Sequence, residues 1–221
     1  MITVHYLDDS RAHRILWLLE ELGLPYAIKL YRRGSDMRAP VALKAVHPLG
    51  KSPVIDDNGR IIAESGAIVE YLIDTYGGEA LRPEAGTEER LRYTYWMHYA
   101  EGSAMPLLLL KLLFGRLPEQ VPFFIRPVAA LIAKGALAKF VDPQLHDHLG
   151  FWNSELKRGG WFAGGSFSAA DIIMSFPVEA AASRVRFDGD MSAMRAYLDS
   201  IRARPAYQKA LERGEYRYSQ T

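Results

Sequence analysis

Gly50-Lys51-Ser52-Pro53-Val54-Ile55-Asp56-Asp57-Asn58-Gly59-Arg60-Ile61-Ile62-Ala63-Glu64-Ser65 is the stretch on which the fold turns. Two short apolar runs flank Asp56-Asp57-Asn58-Gly59, and Asn-Gly between such runs is the strongest short-range sign of a β-hairpin. Pro53 heads the first run. A proline has no N–H for a sheet ladder, so at the head of a strand it marks an edge or a turn, and a cis peptide bond is one way to accommodate it. After the second run the apolar period changes, and Ile68, Val69, Leu72 and Ile73 predict a helix from Ser65 to Tyr76, closed by Gly77-Gly78.

Towards the N-terminus, Ile2, Val4 and Tyr6 alternate as in a strand. Ala12, Ile15, Leu16, Leu19 and Leu22 then recur at helical spacing before Gly23 and Pro25, and Tyr26 to Leu30 reads as a second strand. Strand, twelve-residue helix and strand make a βαβ unit with parallel strands and a right-handed crossover. The segment 31–50 is a polar loop holding Arg32, Arg33, Asp36 and Arg38, followed by a short helix over Pro40–Val46. The order up to residue 77 is therefore β-α-β-(α)-β-β-α.

Beyond it strand signals stop. Residues 78–86 read as a linker, and periodic segments at about 87–113, 120–141, 143–157, 169–184 and 191–203 predict an all-helical second domain over 87–221. Ser168 with Asp171 forms a capping-box pattern, with Phe167 and Ile172 as its hydrophobic staple. The apolar run 106–114 is too short for a bilayer, which needs about 20 residues.

Composition narrows the chemistry. The 221 residues carry 27 Lys+Arg against 26 Asp+Glu, a formal charge of +1, so no global field recruits nucleic acid or an anionic membrane. There is no cysteine, which excludes an enzyme thiol as nucleophile or redox partner. His146-Asp147-His148 would hold its rings on opposing sides of a helix and makes no chelate, and no metal motif is present. The N-terminus shows no basic region followed by a long apolar run, so a cytoplasmic location is expected.

Where a strand passes into a helix, free N–H groups and the positive dipole end form an anion site. Glu64-Ser65 sits at such a junction. Taken alone, Ser65 reads as the helix N-cap and Glu64 as a solvated charge, but an acid beside an anion site also suits a zwitterionic α-amino acid, one group for each charge.

The element order, Gly50-Lys51-Ser52-Pro53-Val54-Ile55 and Glu64-Ser65 together resemble the thioredoxin-like, glutathione-binding domain of cytosolic glutathione transferases. The run from Ser10 to Tyr26 is similar to the first helix of bacterial and fungal serine-type (theta- and phi-like) members, and the similarity spans the whole chain. The resemblance implies an α/β domain over 1–77, a linker, and the all-helical domain that lines an electrophile pocket and a homodimer interface. It implies that Pro53 is a cis-proline presenting the Ser52 backbone to the cysteinyl part of glutathione, that Lys51 faces the glycine carboxylate, and that Glu64 and Ser65 hold the γ-glutamyl end.

Serine-type members hold the thiolate with a serine at the start of the first helix. Ser10 occupies that place, and its competing role is an N-cap. Tyr6 shares its side of the strand with Ile2 and Val4 and reads as core. Tyr95, Trp96, His98, Tyr99, Glu101, Ser103 and Met105 form an aromatic, partly polar helix surface, and the resemblance implies Glu101 as a candidate for reaching the partner's glutathione amine. The implied activity is transfer of glutathione to a hydrophobic electrophile, in detoxification, with glutathione as co-substrate and no metal. A glutathione-dependent peroxidase or disulfide reductase, and a non-catalytic binding protein, are the alternatives.

Overall fold

The computed structural model describes residues 1–34, 38–185, 187, 189–216 and 218. Asp36 of the polar loop lies outside the described residues. Strand β1 (Ile2–Leu7) is followed by helix α1 (His13–Glu21), β2 (Tyr26–Tyr31), the short α2 (Val41–Lys44), β3 (Val54–Asp57), β4 (Arg60–Ala63) and α3 (Ser65–Tyr76). Helices follow: α4 (Glu88–Tyr99), α5 (Met105–Arg116), α6 (Arg126–Ala136), α7 (Asp142–Gly159), α8 (Ala169–Arg184), α9 (Ser192–Arg202) and α10 (Pro205–Arg213). The result is a thioredoxin-like mixed sheet with helices, followed by a helical region.

The sheet order is β2-β1-β3-β4. β1 and β2 are parallel, with Ile2 opposite Tyr26, whereas β1 and β3, with His5 opposite Val54, and β3 and β4, with Val54 opposite Ala63, are antiparallel. The hairpin turns through Asn58 and Gly59, both at positive φ (52° and 91°), as a two-residue turn matched to strand twist requires. This register brings three chain segments to one sheet edge: the exit of β1, the entry to β3 and the exit of β4.

Several boundaries differ from the sequence expectation. The α-helix of α1 begins at His13 and not at Ser10, because residues 10–12 form a turn in which the Ser10 carbonyl accepts from His13 N–H and Arg11 O from Arg14 N–H. The short helix contracts to Val41–Lys44 behind Pro40, whose extended ψ of 154° cannot belong to a helix. The segment expected over 120–141 is broken: Pro118 and Pro122 confine residues 117–125 to 3-10 turns, and α6 starts only at Arg126, with Pro127 in its first turn. Helix α10 was not foreseen. It starts with Pro205 in its first turn and packs along α1, where Arg213 binds Glu20 at 3.1 Å and Tyr26 O at 2.9 Å, and Arg204 on the turn before it binds both oxygens of Glu21 at 2.6 and 2.8 Å.

The core is continuous from the sheet into the helices. Val4, Tyr6, Leu16, Trp17, Ile68 and Leu72 join Trp96, Trp152, Ile172, Ile173 and Tyr207 in one buried cluster. Helix α8 runs through its middle and is buried on all sides, mostly by apolar residues, with Asp171, Ser175 and Glu179 as its buried polar groups. Its start carries the expected capping box: Asp171 accepts from Ser168 N–H at 2.9 Å and from Phe162 N–H at 2.8 Å.

Candidate functional site

At the exit of β1 the chain turns through Asp9, held at φ 44°, and delivers Ser10, which is 5% exposed. The Ser10 hydroxyl oxygen accepts the Ala12 N–H at 3.2 Å and lies 3.4 Å from Ser52 Oγ. The cap-like bond uses a lone pair, and because Ser52 Oγ gives its own proton to His5 O, the Ser10 proton is the one shared with Ser52 Oγ at 3.4 Å, a long contact that an anion can displace, so capping and anion binding are compatible on one oxygen.

Opposite Ser10, the Ser52–Pro53 bond is cis. Ser52 Oγ donates to His5 O at 3.0 Å and accepts from Leu7 N–H at 3.2 Å, which ties the entry of β3 to the end of β1. With its side chain occupied in this way, Ser52 has its backbone left for a ligand. Lys51 beside it is exposed. Tyr6, by contrast, is fully buried and its hydroxyl is committed to Glu215 O at 2.9 Å, so it belongs to the core.

At the exit of β4, Glu64 takes the N-cap position of α3 with φ 72° and ψ 125°. That is a conformation L-residues rarely adopt, and strain of this kind gathers where a side chain must be aimed. Ser65 is the first helical residue and not the cap. Its buried hydroxyl accepts from Arg14 Nη2 at 3.0 Å, which leaves its own proton free for an anion at the helix N-terminus.

Arg14 is the residue that sequence reasoning missed. Its side chain is 1% exposed, and besides Ser65 it donates to Glu101 Oε1 at 2.6 Å and to Ile173 O at 2.7 Å. Arg11 takes the other Glu101 oxygen at 2.5 Å. Burial alone would raise the Glu101 pKa, but Arg14 and Arg11 outweigh it and hold the carboxyl below its ordinary value. Glu101 lies in a π-helical turn, Ala100–Ala104, inserted between α4 and α5, a feature that recurs at functional sites. Both its oxygens are bonded within its own chain. A full positive charge next to the buried apolar run Ile15–Leu19 was the available signal, since arginine is almost never buried without partners.

Between α3 and α4 opens a cleft of about 770 Å³, lined by Glu64, Gly66, Ala67, Tyr93, Met97 and Glu101 among others. Leu109, Leu113, Phe123, Phe124, Val128 and Leu131 form a separate exposed apolar surface along α5, α6 and the turns joining them. Within the aromatic stripe of α4, Trp96 is buried, Tyr95 is 47% exposed, and Tyr99 bonds His148 Nδ1 at 2.6 Å. Among the described residues no helix is long and apolar enough to cross a membrane.

One sheet edge thus collects a hydroxyl at a turn into a helix, a cis-proline segment with free backbone, and an acid and hydroxyl at a second helix N-terminus. A family model for the glutathione S-transferase N-terminal domain matches residues 10–75. Glutathione S-transferase 3 of Schizosaccharomyces pombe is 35% identical over 97% of this chain and 88% of its own length. Glutathione S-transferase 1 of Saccharomyces cerevisiae is 32% identical over 96% and 95%. A solved glutathione S-transferase from Actinobacillus pleuropneumoniae superposes with a TM-score of 0.80 at 32% identity, covering 100% of this chain and 97% of that one. The chain belongs to the glutathione S-transferase family and is a glutathione transferase.

Proposed function

We propose that glutathione lies along this sheet edge with its cysteinyl sulfur beside Ser10, its cysteinyl backbone on Ser52 and Pro53, its glycine carboxylate towards Lys51, and its γ-glutamyl ammonium and carboxylate on Glu64 and Ser65. The supporting observation is that Ser10 and Ser65 both spend an oxygen lone pair on the protein, while Ser65 keeps its hydroxyl proton and Ser10 commits its own only to the long 3.4 Å contact with Ser52 Oγ, the arrangement a thiolate and a carboxylate require.

A free thiol has a pKa near about 8.5, and lowering it by about two units takes roughly 2.7 kcal/mol of preference for the thiolate. A hydroxyl hydrogen bond to an anion supplies about 1.5–3 kcal/mol and a helix start about 0.3–1 kcal/mol more. Ser10 and the start of α1 together reach that figure. The thiolate sulfur then attacks the electrophilic carbon of a hydrophobic substrate, forming the C–S bond as the leaving group departs with its electron pair.

The same proposal assigns residues 1–77 to glutathione, 78–86 to a linker, and 87–221 to the electrophile and to a homodimer contact in the cytoplasm. The exposed apolar side chains of α5 and α6 offer surface for such contacts. With both Glu101 oxygens bonded to Arg11 and Arg14, an action inside its own protomer is favoured over a reach to the partner's glutathione. Calorimetric titration tests the proposal: glutathione binds to wild type, and Lys51→Ala and Glu64→Ala each weaken it. Absence of detectable binding at millimolar glutathione overturns it.

A further inference from the structure

Helix α8 contains a proline in its interior, Pro177, at a place where the helix is completely buried. Proline has no N–H, so the carbonyl four residues earlier loses the partner that a regular helix gives it. That carbonyl belongs to Ile173. A buried carbonyl must find another donor, and Ile173 O finds Arg14 Nη1 at 2.7 Å. The same guanidinium donates from Nη2 to Ser65 Oγ at 3.0 Å and to Glu101 Oε1 at 2.6 Å, and it lies 5.6 Å from the ring centre of Phe176, the residue before the proline.

We infer that Pro177 and Arg14 are positioning residues for the γ-glutamyl end of glutathione, acting through Ser65. A guanidinium is a planar fork of five donors, and fixing one arm fixes the others. With Nη1 held by the carbonyl that Pro177 leaves open, Nη2 is directed at Ser65 Oγ and Glu101. Ser65 then accepts from Arg14 and keeps its proton for the ligand carboxylate, with a buried positive charge behind it. The proline in α8 is in this account a binding determinant, although it is one helix removed from the ligand. The inference rests on the assignment of Ser65 to the γ-glutamyl carboxylate.

The test is Pro177→Ala. The new alanine N–H reclaims Ile173 O, and α8 gains a good helix former, so the variant is expected to unfold at the same or higher denaturant concentration than wild type. Its KM and calorimetric Kd for glutathione are expected to rise about 5- to 10-fold with kcat within about twofold, the size of one lost, well-aimed hydrogen bond. Cysteinylglycine, which lacks the γ-glutamyl group, is expected to bind Pro177→Ala and wild type alike. Arg14→Lys, which keeps the charge but not the fork, is expected to show the same selective loss. Unchanged glutathione affinity in both variants overturns the inference, as does an equal loss for glutathione and cysteinylglycine, which marks a general structural role. Ser65→Ala is measured alongside. If it binds glutathione as wild type does, the γ-glutamyl assignment itself falls; if it weakens binding while Pro177→Ala does not, only the relay falls.

Discussion

Arg14 and Glu101 meet at 2.6 Å between α1 and the π-helical turn after α4, with the arginine side chain 1% and the glutamate 27% exposed. The pair joins the start of α1, next to Ser10, to the helical region. Removing Arg14 leaves Glu101 bonded to Arg11 but takes the donor away from the buried Ile173 O and Ser65 Oγ, which costs about 2–4 kcal/mol. Arg14→Ala is expected to lose that much stability in urea denaturation. Glu101→Gln leaves the buried Arg14 guanidinium facing a neutral amide and is expected to lose about 3–5 kcal/mol. A double-mutant cycle with the two should show strong coupling, and additivity within about 0.5 kcal/mol would mean that the pair is not a unit.

Ser10→Ala removes both functions of one oxygen, and they separate by measurement. Loss of the acceptor for Ala12 N–H should lower stability by about 1 kcal/mol, the size of a cap. Loss of the donor to sulfur should raise the pKa of bound glutathione by about 1–2 units and cut turnover near pH 7 about 10- to 100-fold, since each unit is worth about 1.4 kcal/mol. Thiolate absorbance against pH, taken with saturating glutathione, is the decisive trace. A variant that is only less stable would leave Ser10 as a cap.

Much of this site could be seen in the sequence because its parts are local. Asn58-Gly59, the proline at the head of β3 and the acid-hydroxyl pair at a strand-to-helix junction each have a short-range physical signature, and β-α-β-(α)-β-β-α fixes where they meet. Arg14 offered only its charge among the apolar residues of α1, which does not say what it meets. Its partners, Ser65, Glu101 and Ile173, lie 51, 87 and 159 residues away, and only packing of α1 against α3 and α8 brings them together. The start of α1 was misplaced because Ala12 already belongs to the apolar period, whereas the hydrogen bonds of residues 10–12 still form a turn. Helix α10 lies at the end of the chain, and the apolar period of Tyr207 and Ala210 within it is too short to stand out.

Glu64 is bent to φ 72° in order to precede α3, a conformation that costs about 1–3 kcal/mol for a side chain other than glycine. Glu64→Gly relieves that strain and removes the carboxylate at once. Stability of the ligand-free chain is therefore expected to hold or rise, by up to about 1 kcal/mol, while glutathione affinity falls about 10-fold for the lost charge-assisted contact. Thermal denaturation and titration calorimetry on the same samples distinguish these effects. A loss of stability together with unchanged affinity would show that Glu64 is structural and does not hold the ligand.

His13 is one source of acid sensitivity. Its ring is fully buried, stacked on Tyr216 at 4.2 Å and edge-on to Tyr207, and neither ring nitrogen has a hydrogen-bond partner among the described residues. Burial pushes its pKa down from 6.5 to about 3. Between those values the unfolded chain takes up a proton that the folded chain refuses, so this group's contribution is complete above pH 6.5 and is lost as pH falls towards 3, by about 1.4 kcal/mol per unit. Asp171, raised by burial to about 7, and Glu179, also raised, act in the opposite sense: they favour the folded state at low pH and lose that effect as pH rises through their folded values. The histidine contribution is isolated by subtraction. His13→Phe keeps the ring stack and cannot titrate, so from pH 6.5 to pH 4.5 it is expected to gain about 2–3 kcal/mol relative to wild type in chemical denaturation. Parallel profiles for the two proteins over that interval would mean that His13 is protonated inside the fold.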